Sequence, residues 1–452
     1  VKVLLVMLAA SFPVLGVTER VLTRSAAGHL IHNSQVFSRD GRHIVFDSRN
    51  DETQLASSAR IGVVNIVTGE ETVIYETSRS SPQGPGVGAA TFSPSSDDIV
   101  FIHGLDNASA DHPYAAQRRS AAIVSLGAPG KMSRLDARDV TPPFTPGALR
   151  GGTHAHHWSG DGTMLSFTYN DAVVPAPGPA PGDLRTIGVI EINSPVTVAD
   201  ARAGDEFSGK GFTVVVVPVK PDPRPGSDEL SRACEEGWVG TDGYLRGDGR
   251  RQRKAIAFLG TTVARNGSPV SEVFLADLPE TFSRVGAEGP LEGASDRLPS
   301  PPAGVTIRRL THTENTARPG LQGPRHWIRS SPDGSTIAFL DEDADGVVQI
   351  FGISPAGGEI RTLSRLKESI ETPFTWSPDG LHLACSAGGR IIRINARTGA
   401  SEPLTSRLAA DQSPCHGVIF SPDGKHLAFN RRLAQPDGRK FLQVCVLELG
   451  GR

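Results

Sequence analysis

The sequence predicts an all-β fold: a seven-bladed propeller of four-stranded blades whose ring is closed by an N-terminal strand. Three observations predict it. An aromatic residue followed by Ser-x-Asp-Gly, or a relative of that turn, recurs at Phe37-Ser-Arg-Asp-Gly41, Phe92-Ser-Pro-Ser-Ser96, Trp158-Ser-Gly-Asp-Gly162, Ser330-Ser-Pro-Asp-Gly334, Trp376-Ser-Pro-Asp-Gly380 and Phe420-Ser-Pro-Asp-Gly424. Each copy leads into a short apolar run, such as His43-Ile-Val-Phe46 or Thr336-Ile-Ala-Phe339. The last copy ends without an outer strand of its own, and Thr18–Arg24 (TERVLTR) resembles the outer-strand segments IRRLTHT and IRTLSRL.

Each part of the repeat has a physical reason. Pro suits the first corner of a turn, Asp accepts hydrogen bonds from the backbone just ahead of it, and Gly tolerates positive φ. The apolar runs that follow have the length and composition of strands buried between blades. On this pattern the propeller occupies 18–450, with blades at 32–77, 86–141, 151–220, 234–312, 325–365, 372–406 and 414–450 and the closing strand at 18–24. The fourth blade has lost the turn signature; it is placed from Glu235–Gly240 through Ala255–Leu259, Glu272–Leu278 and Val305–Thr311. An N-terminal strand that completes the last blade removes the free sheet edges. The stretches Ala172–Asp183, Pro221–Ser227, Thr241–Lys254 and Ser283–Gly304 read as long loops of the propeller.

Composition narrows the function classes. With 50 Gly and 34 Pro the chain is rich in turns, and its 452 residues fit repeated blades better than one large core. A net charge of −3 lacks the electrostatic footprint of a nucleic-acid binder. The segment VKVLLVMLAASFPVLG has one charge and an apolar run too short to span a bilayer, so residues 1–16 read as a cleavable signal peptide and the protein as exported, periplasmic or secreted. Cys234, Cys385, Cys415 and Cys445 show no C-x-x-C spacing, which excludes a zinc ribbon and favours small buried apolar residues. There is no G-x-S-x-G elbow, so a propeller coupled to a prolyl-oligopeptidase-type hydrolase is excluded.

Candidate chemistry lies in the histidines. Counting back five residues from each turn serine gives Asn33, Gly88, His154, His326, Thr372 and His416; three of these six are His in a chain with 13. His156 lies two residues after His154, on the same face of an extended strand. In a propeller this is the innermost strand, so imidazoles from blades three, five and seven are expected to converge at the channel mouth. Such a set suits a divalent transition metal, Mn or Zn; the plainer reading is histidines hydrogen-bonded to water. Glu236 falls on the same face if Trp238 takes the aromatic place, and is the candidate general base. Arg325, beside His326, and Arg150 are candidates for orienting a carboxylate or phosphate, though each taken alone is more often structural. His103 reads as structural. Asp341-x-Asp343-x-Asp345-Gly346 begins like a calcium loop, but Gly352 stands where the bidentate Glu is needed, so an acidic hairpin turn is expected and calcium is not.

The W/F-S-P-D-G-x-x-[IL]-A-F repeat resembles the TolB-like (WD40-like, PD40) propeller repeats of bacterial envelope proteins, over most of the chain. The stretches Lys131–Asp136, Thr145–His156, Ser227–Gly240 and Pro319–Trp327 resemble a narrower, uncharacterised family within that group. A more distant similarity is to oligogalacturonate lyases, seven-bladed propellers that hold manganese with histidines and a glutamine. That similarity implies His154, His156 and His326 in the histidine places and Gln322 as an amide ligand. Two functions follow as expectations. One is an exported, monomeric propeller that binds a small molecule, an oligosaccharide or a periplasmic protein across its channel, with a His-lined metal site. The other is a metal-dependent lyase acting on uronate-containing oligosaccharides, with Glu236 or Arg325 as base or orienting group. A TolB-type adaptor would carry a further domain ahead of the propeller, and blade one is expected to begin near His32. Both surviving functions predict that His154→Ala and His326→Ala leave folding largely intact, because channel ends carry little of the core.

Overall fold

A computed structural model describes residues 17–174 and 184–450. Residues 1–16, where the signal peptide is expected, and most of the Ala172–Asp183 tract lie outside the described residues. Seven antiparallel sheets surround a central axis, which makes the molecule an all-β propeller. Six of the sheets have four strands; blade 1 has three, His43–Asp47, Arg60–Asn65 and Glu71–Glu76. The place of its innermost strand is taken by single bridges from Leu30 to Asp47 and from Phe37 to Ile44. Val17–Val21 pairs with the last strand, Lys440–Leu449, and closes the ring as the sequence predicts.

The turn motif works as its residue types require. In blade 1 the Ser38 hydroxyl donates to Asp40 Oδ1 (2.6 Å) and accepts the His43 N–H (3.0 Å), while Asp40 Oδ1 also accepts the Arg42 N–H (3.0 Å). The Ser38 bond holds the Asp40 carboxyl below its ordinary pKa. Ser159 and Asp161 repeat this in blade 3, Ser377 and Asp379 in blade 6, and Ser421 and Asp423 in blade 7. The turn glycines sit at φ +70° (Gly41) and +71° (Gly380), a region that favours glycine. Blade 4 replaces this turn with an insert that carries a small hairpin, Tyr244–Leu245 with Arg251–Gln252. Trp238 takes the aromatic place there, paired with Ile256 as Trp158 is with Leu165.

The apolar runs fill the spaces between blades. Phe101, Phe167, Phe258, Phe339 and Phe429 occupy equivalent places on the second strands of blades 2, 3, 4, 5 and 7, and all are fully buried. Each contributes about 1.5–3 kcal/mol on burial, and Cys385 stands in the same place in blade 6. All four cysteines are unpaired thiols, and burial pushes Cys234, Cys385 and Cys445 up to about 12. The acidic segment at Asp341–Gly346 is a hairpin turn between Ile337–Glu342 and Val348–Ile353, with Asp343 Oδ1 accepting from the Asp345 and Val347 N–H groups. No helix among the described residues is long and apolar enough to cross a membrane.

Candidate functional site

A β-bulge on the innermost strands decides where the candidate side chains go. In blades 2, 3 and 4 the innermost strand uses three residue steps where its neighbour uses two: Gly88 to Thr91, His154 to His157 and Cys234 to Gly237. In blade 7 the step from Cys415 to Val418 is matched by a single step from Asn430 to Phe429. The first bulged residue takes a left-handed conformation: Ala89 (φ +54°), Ala155 (+59°), Glu235 (+53°) and His416 (+58°). A bulge breaks strict alternation and re-aims the side chains that follow it.

The expected set of imidazoles is therefore dispersed. His154 sits at the mouth, but His156 turns into the blade, fully buried, with Nε2 3.1 Å from Thr153 Oγ1 and its ring against Phe167. The extra residue in blade 7 puts His416 at the bulge, equivalent to Ala155, and Cys415 in the place of His154. In blade 5 both nitrogens of His326 are engaged: Nε2 accepts the Leu340 N–H (3.0 Å) and Nδ1–H donates to Pro324 O (3.0 Å). Thr372 does the same in blade 6, where its hydroxyl accepts the Ser386 N–H (3.0 Å). At this place in blades 5 and 6 a side chain substitutes for the missing strand partner, so His326→Ala is expected to carry a stability cost. Leaving the buried Leu340 N–H unpaired is expected to cost about 1–3 kcal/mol, read as a lower midpoint in urea unfolding.

Gln322 stands apart from His154; its amide NH₂ donates to Pro319 O (3.2 Å) and Gly320 O (3.0 Å). Glu236 is fully buried in the channel interior, with Oε2 accepting from Thr168 (3.1 Å) and Oε1 3.7 Å from His157 Nδ1. Arg325 is at the mouth, held by Glu235 Oε1 at Nε (2.7 Å) and stacked on Trp327 at 4.5 Å. Glu236 and Arg325 thus face different surroundings. Arg150 is a structural clamp, fully buried on Asp171 and on the carbonyls of Ala294 and Arg297. His103 is also structural, with Nε2 2.8 Å from the Tyr75 hydroxyl.

The structure gathers a cationic cavity instead. Its volume is about 340 Å³, and Asn33, Ala89, His154, Arg325, Pro373 and His416 reach it from six blades, which fixes it on the axis at the N-terminal ends of the innermost strands. Arg49, Arg119 and Arg185 also line it. Arg49 is neutralised by a two-bond contact with Asp47 (2.7 Å each). His416 is paired with Glu52 (3.0 Å); burial opposes its charge, but Cys415 and the Glu52 carboxylate outweigh that and raise it to about 9. Arg119 has no such partner among the described residues: it lies over the Tyr114 ring (4.8 Å) and its Nη1 donates to His154 Nδ1 (2.9 Å). Burial and the nearby Arg185, Arg49 and Arg325 lower the pKa of Arg119.

A guanidinium can only donate, so His154 Nδ1 is the acceptor and its proton sits on Nε2. That Nε2–H is buried and has no partner among the described residues. Burial, then Arg119, keep this imidazole well below its ordinary pKa, hence neutral. On this wall Arg119 and the His154 Nε2–H are donors, and the Glu52 carboxylate that also lines it is paired with His416. Below it a polar layer closes the channel: the rings of His32 and His157 stack at 5.3 Å, and Arg329 donates to Asn33 O (3.0 Å). Beyond that layer a second cavity of about 290 Å³ opens between Trp158, Trp238 and Trp376 at the other end of the axis.

Comparison with known proteins places this architecture. Residues 86–205 match a family model described as "Protein of unknown function (DUF3748)". The uncharacterized protein YidR of Escherichia coli (strain K12) is 42% identical over 411 residues, covering 90% of this chain and 94% of the relative. The chain belongs to the YidR family. Among solved structures, the oligogalacturonate lyase of Vibrio parahaemolyticus is similar at a TM-score of 0.54 and 10% identity, covering 95% of this YidR-family chain and 93% of the lyase. An oligogalacturonate lyase in complex with manganese is similar at the same TM-score, with 12% identity and the same coverage. At these identities the likeness is one of fold. No group of three or more His, Cys, Asp or Glu converges among the described residues, His326 has no free lone pair, and His154 offers a proton.

Proposed function

We propose that the protein is an exported propeller that binds a small anionic ligand, carrying a carboxylate or a phosphate, in the cavity at its channel mouth. The observation that supports this is Arg119, a guanidinium in a cationic cavity whose described partners are a neutral imidazole and an aromatic face. An anion entering the cavity would meet Arg119, the His154 Nε2–H and the protonated His416 together. Charge-assisted hydrogen bonds of this kind are roughly twice as strong as neutral ones. The lyase alternative with Glu236 as base would need that carboxylate near a substrate, and it is buried, bonded by Thr168 with His157 beside it. Binding is the reading the geometry favours. Export is proposed on the character of residues 1–16.

Titration calorimetry at low salt with galacturonate, citrate and inorganic phosphate tests this. Saturable binding at pH 7 is expected. His416 has a folded pKa raised above 6.5, so its charge is complete below that value and is lost as pH rises through about 9. Affinity should therefore fall between pH 8 and 10, and His416→Gln should flatten that dependence. No saturable heat with any of the three anions would overturn the reading.

A further inference from the structure

We infer that the cavity at the far end of the axis is a second binding site, for a free, planar, uncharged aromatic compound that fills the place where blade 5 lacks the ring its neighbours carry. In six blades an aromatic residue stands at the foot of the innermost strand: Phe37, Phe92, Trp158, Trp238, Trp376 and Phe420. Each is paired with an Ile or Leu near the start of the second strand, as Trp376 is with Leu383 and Phe420 with Leu427. Blade 5 keeps this register, with Ser330 opposite Ile337, but not the ring.

The cavity, of about 290 Å³, is centred on that difference. Of the seven places, its wall takes Trp158, Trp238, Ser330, Trp376 and Phe420, which belong to consecutive blades 3 to 7 with Ser330 in the middle. The blades on either side of Ser330 are those that carry Trp238 and Trp376. A ring brought by a ligand would thus complete an aromatic shell that lacks one member. Aromatic pairs attract each other beyond the area they bury. The volume lies just under the ~300–1,000 Å³ of drug-sized sites, which suits a single ring system.

The polar groups on the wall select against other occupants. A sugar could also stack on an indole, but it needs partners for its hydroxyls, and those partners are taken. Gln35 spends both ends of its amide on the Trp158 backbone (2.8 and 2.9 Å). The Thr375 hydroxyl donates to Val418 O (2.7 Å), and the Ser330 hydroxyl accepts the Gly240 N–H and donates to Ser331 O (3.0 Å each). Ser331 and Ser377 are used within their own turns. The Trp376 Nε1–H and the Arg329 Nε–H have no partner among the described residues, so an acceptor on the edge of the ring can be met. A cage of indoles commonly takes a quaternary ammonium, and here the Arg329 guanidinium on the wall opposes a cation. Strand addition by a peptide needs a free sheet edge. The turns at the rim are instead bonded to one another, the Thr241 N–H to Pro332 O (2.8 Å) among them.

Calorimetry on the full chain with quinoline, galactose, choline and a capped Ala-Trp-Ala tripeptide tests the inference. Saturable binding of quinoline is expected, about tenfold or more tighter than the other three. Ser330→Trp, which supplies the missing ring, should abolish quinoline binding, and Trp376→Leu, which removes one wall, should weaken it about tenfold. Cooperative urea unfolding of each variant shows that it is folded; if Ser330→Trp is not, Trp376→Leu decides. No saturable binding of quinoline to the parent would overturn the inference, as would folded variants that bind it like the parent. Galactose, choline or the tripeptide binding as tightly as quinoline would overturn the ligand class. None of these outcomes bears on anion binding at the opposite mouth.

Discussion

Arg119→Gln is expected to weaken anion binding about 10- to 100-fold while leaving the free energy of unfolding unchanged or slightly raised. The size follows from losing one charge-assisted hydrogen bond, worth about 1.5–3 kcal/mol, at 1.4 kcal/mol per factor of ten. The unusual part is the stability. A structural arginine sits on a carboxylate, and removing it strands a buried charge. Arg119 instead ends on His154 Nδ1 and the Tyr114 ring, among cations that already lower its pKa. Glutamine can keep an N–H donor for His154 and removes the repulsion with Arg185, Arg49 and Arg325. Binding sites commonly trade stability for function in this way. Arg118→Gln is the control, because Arg118 pairs with Asp205 (3.2 Å) and does not line the cavity. Calorimetry and urea unfolding on both variants decide the matter. A destabilised Arg119→Gln with unchanged affinity would make Arg119 structural.

The fold was legible because it is written redundantly. Five copies of Ser-x-Asp-Gly encode the same turn through side chains that hydrogen-bond within it, and a phenylalanine follows each of four of them at nearly constant spacing. Blade 4 lacks the turn and is legible only through its strand segments; Trp238 stands in the aromatic place, paired with Ile256. The site was legible only in part, because local counting assumes unbroken alternation. One bulged residue sends His156 into the blade, and the extra one in blade 7 moves His416 out of step with His154. No composition signal marks these bulges, since Ala89, Ala155, Glu235 and His416 all adopt positive φ without being glycine. Arg119 and Arg185 were missed because they lie outside the innermost strands. Arg119 opens a third strand and Arg185 immediately precedes one; such a strand runs parallel to the innermost one and so begins at the mouth. Aligning third strands as well as first strands would have brought them into register.

Arg150→Ala is expected to lower stability by about 3–5 kcal/mol, the largest single loss among the side chains considered, with anion binding retained at temperatures where the variant is folded. Arg150 has no exposed surface and stands one residue before the innermost strand of blade 3. Its Nε and Nη2 donate to Asp171 Oδ2 (3.2 and 3.1 Å), which is only 4% exposed and also accepts from the Tyr169 hydroxyl (2.8 Å). Further guanidinium bonds reach Ala294 O and Arg297 O, and the Phe144 ring lies against it at 4.7 Å. One side chain thus ties blade 3 to the long loop 283–304 that follows the third strand of blade 4. Truncation leaves Asp171 buried without its cation and two loop carbonyls without donors, which is the costly half of breaking a buried pair. Asp171→Asn in the Arg150→Ala background should recover part of the loss, because it removes the stranded charge but not the unpaired carbonyls. Urea unfolding of the single and double variants gives the coupling, and limited proteolysis should show new cleavage within 283–304. A loss below about 1 kcal/mol, with the loop still protected, would show that the clamp is replaceable and that loop and blade are held by their apolar contacts, Phe282 and Leu291 among them.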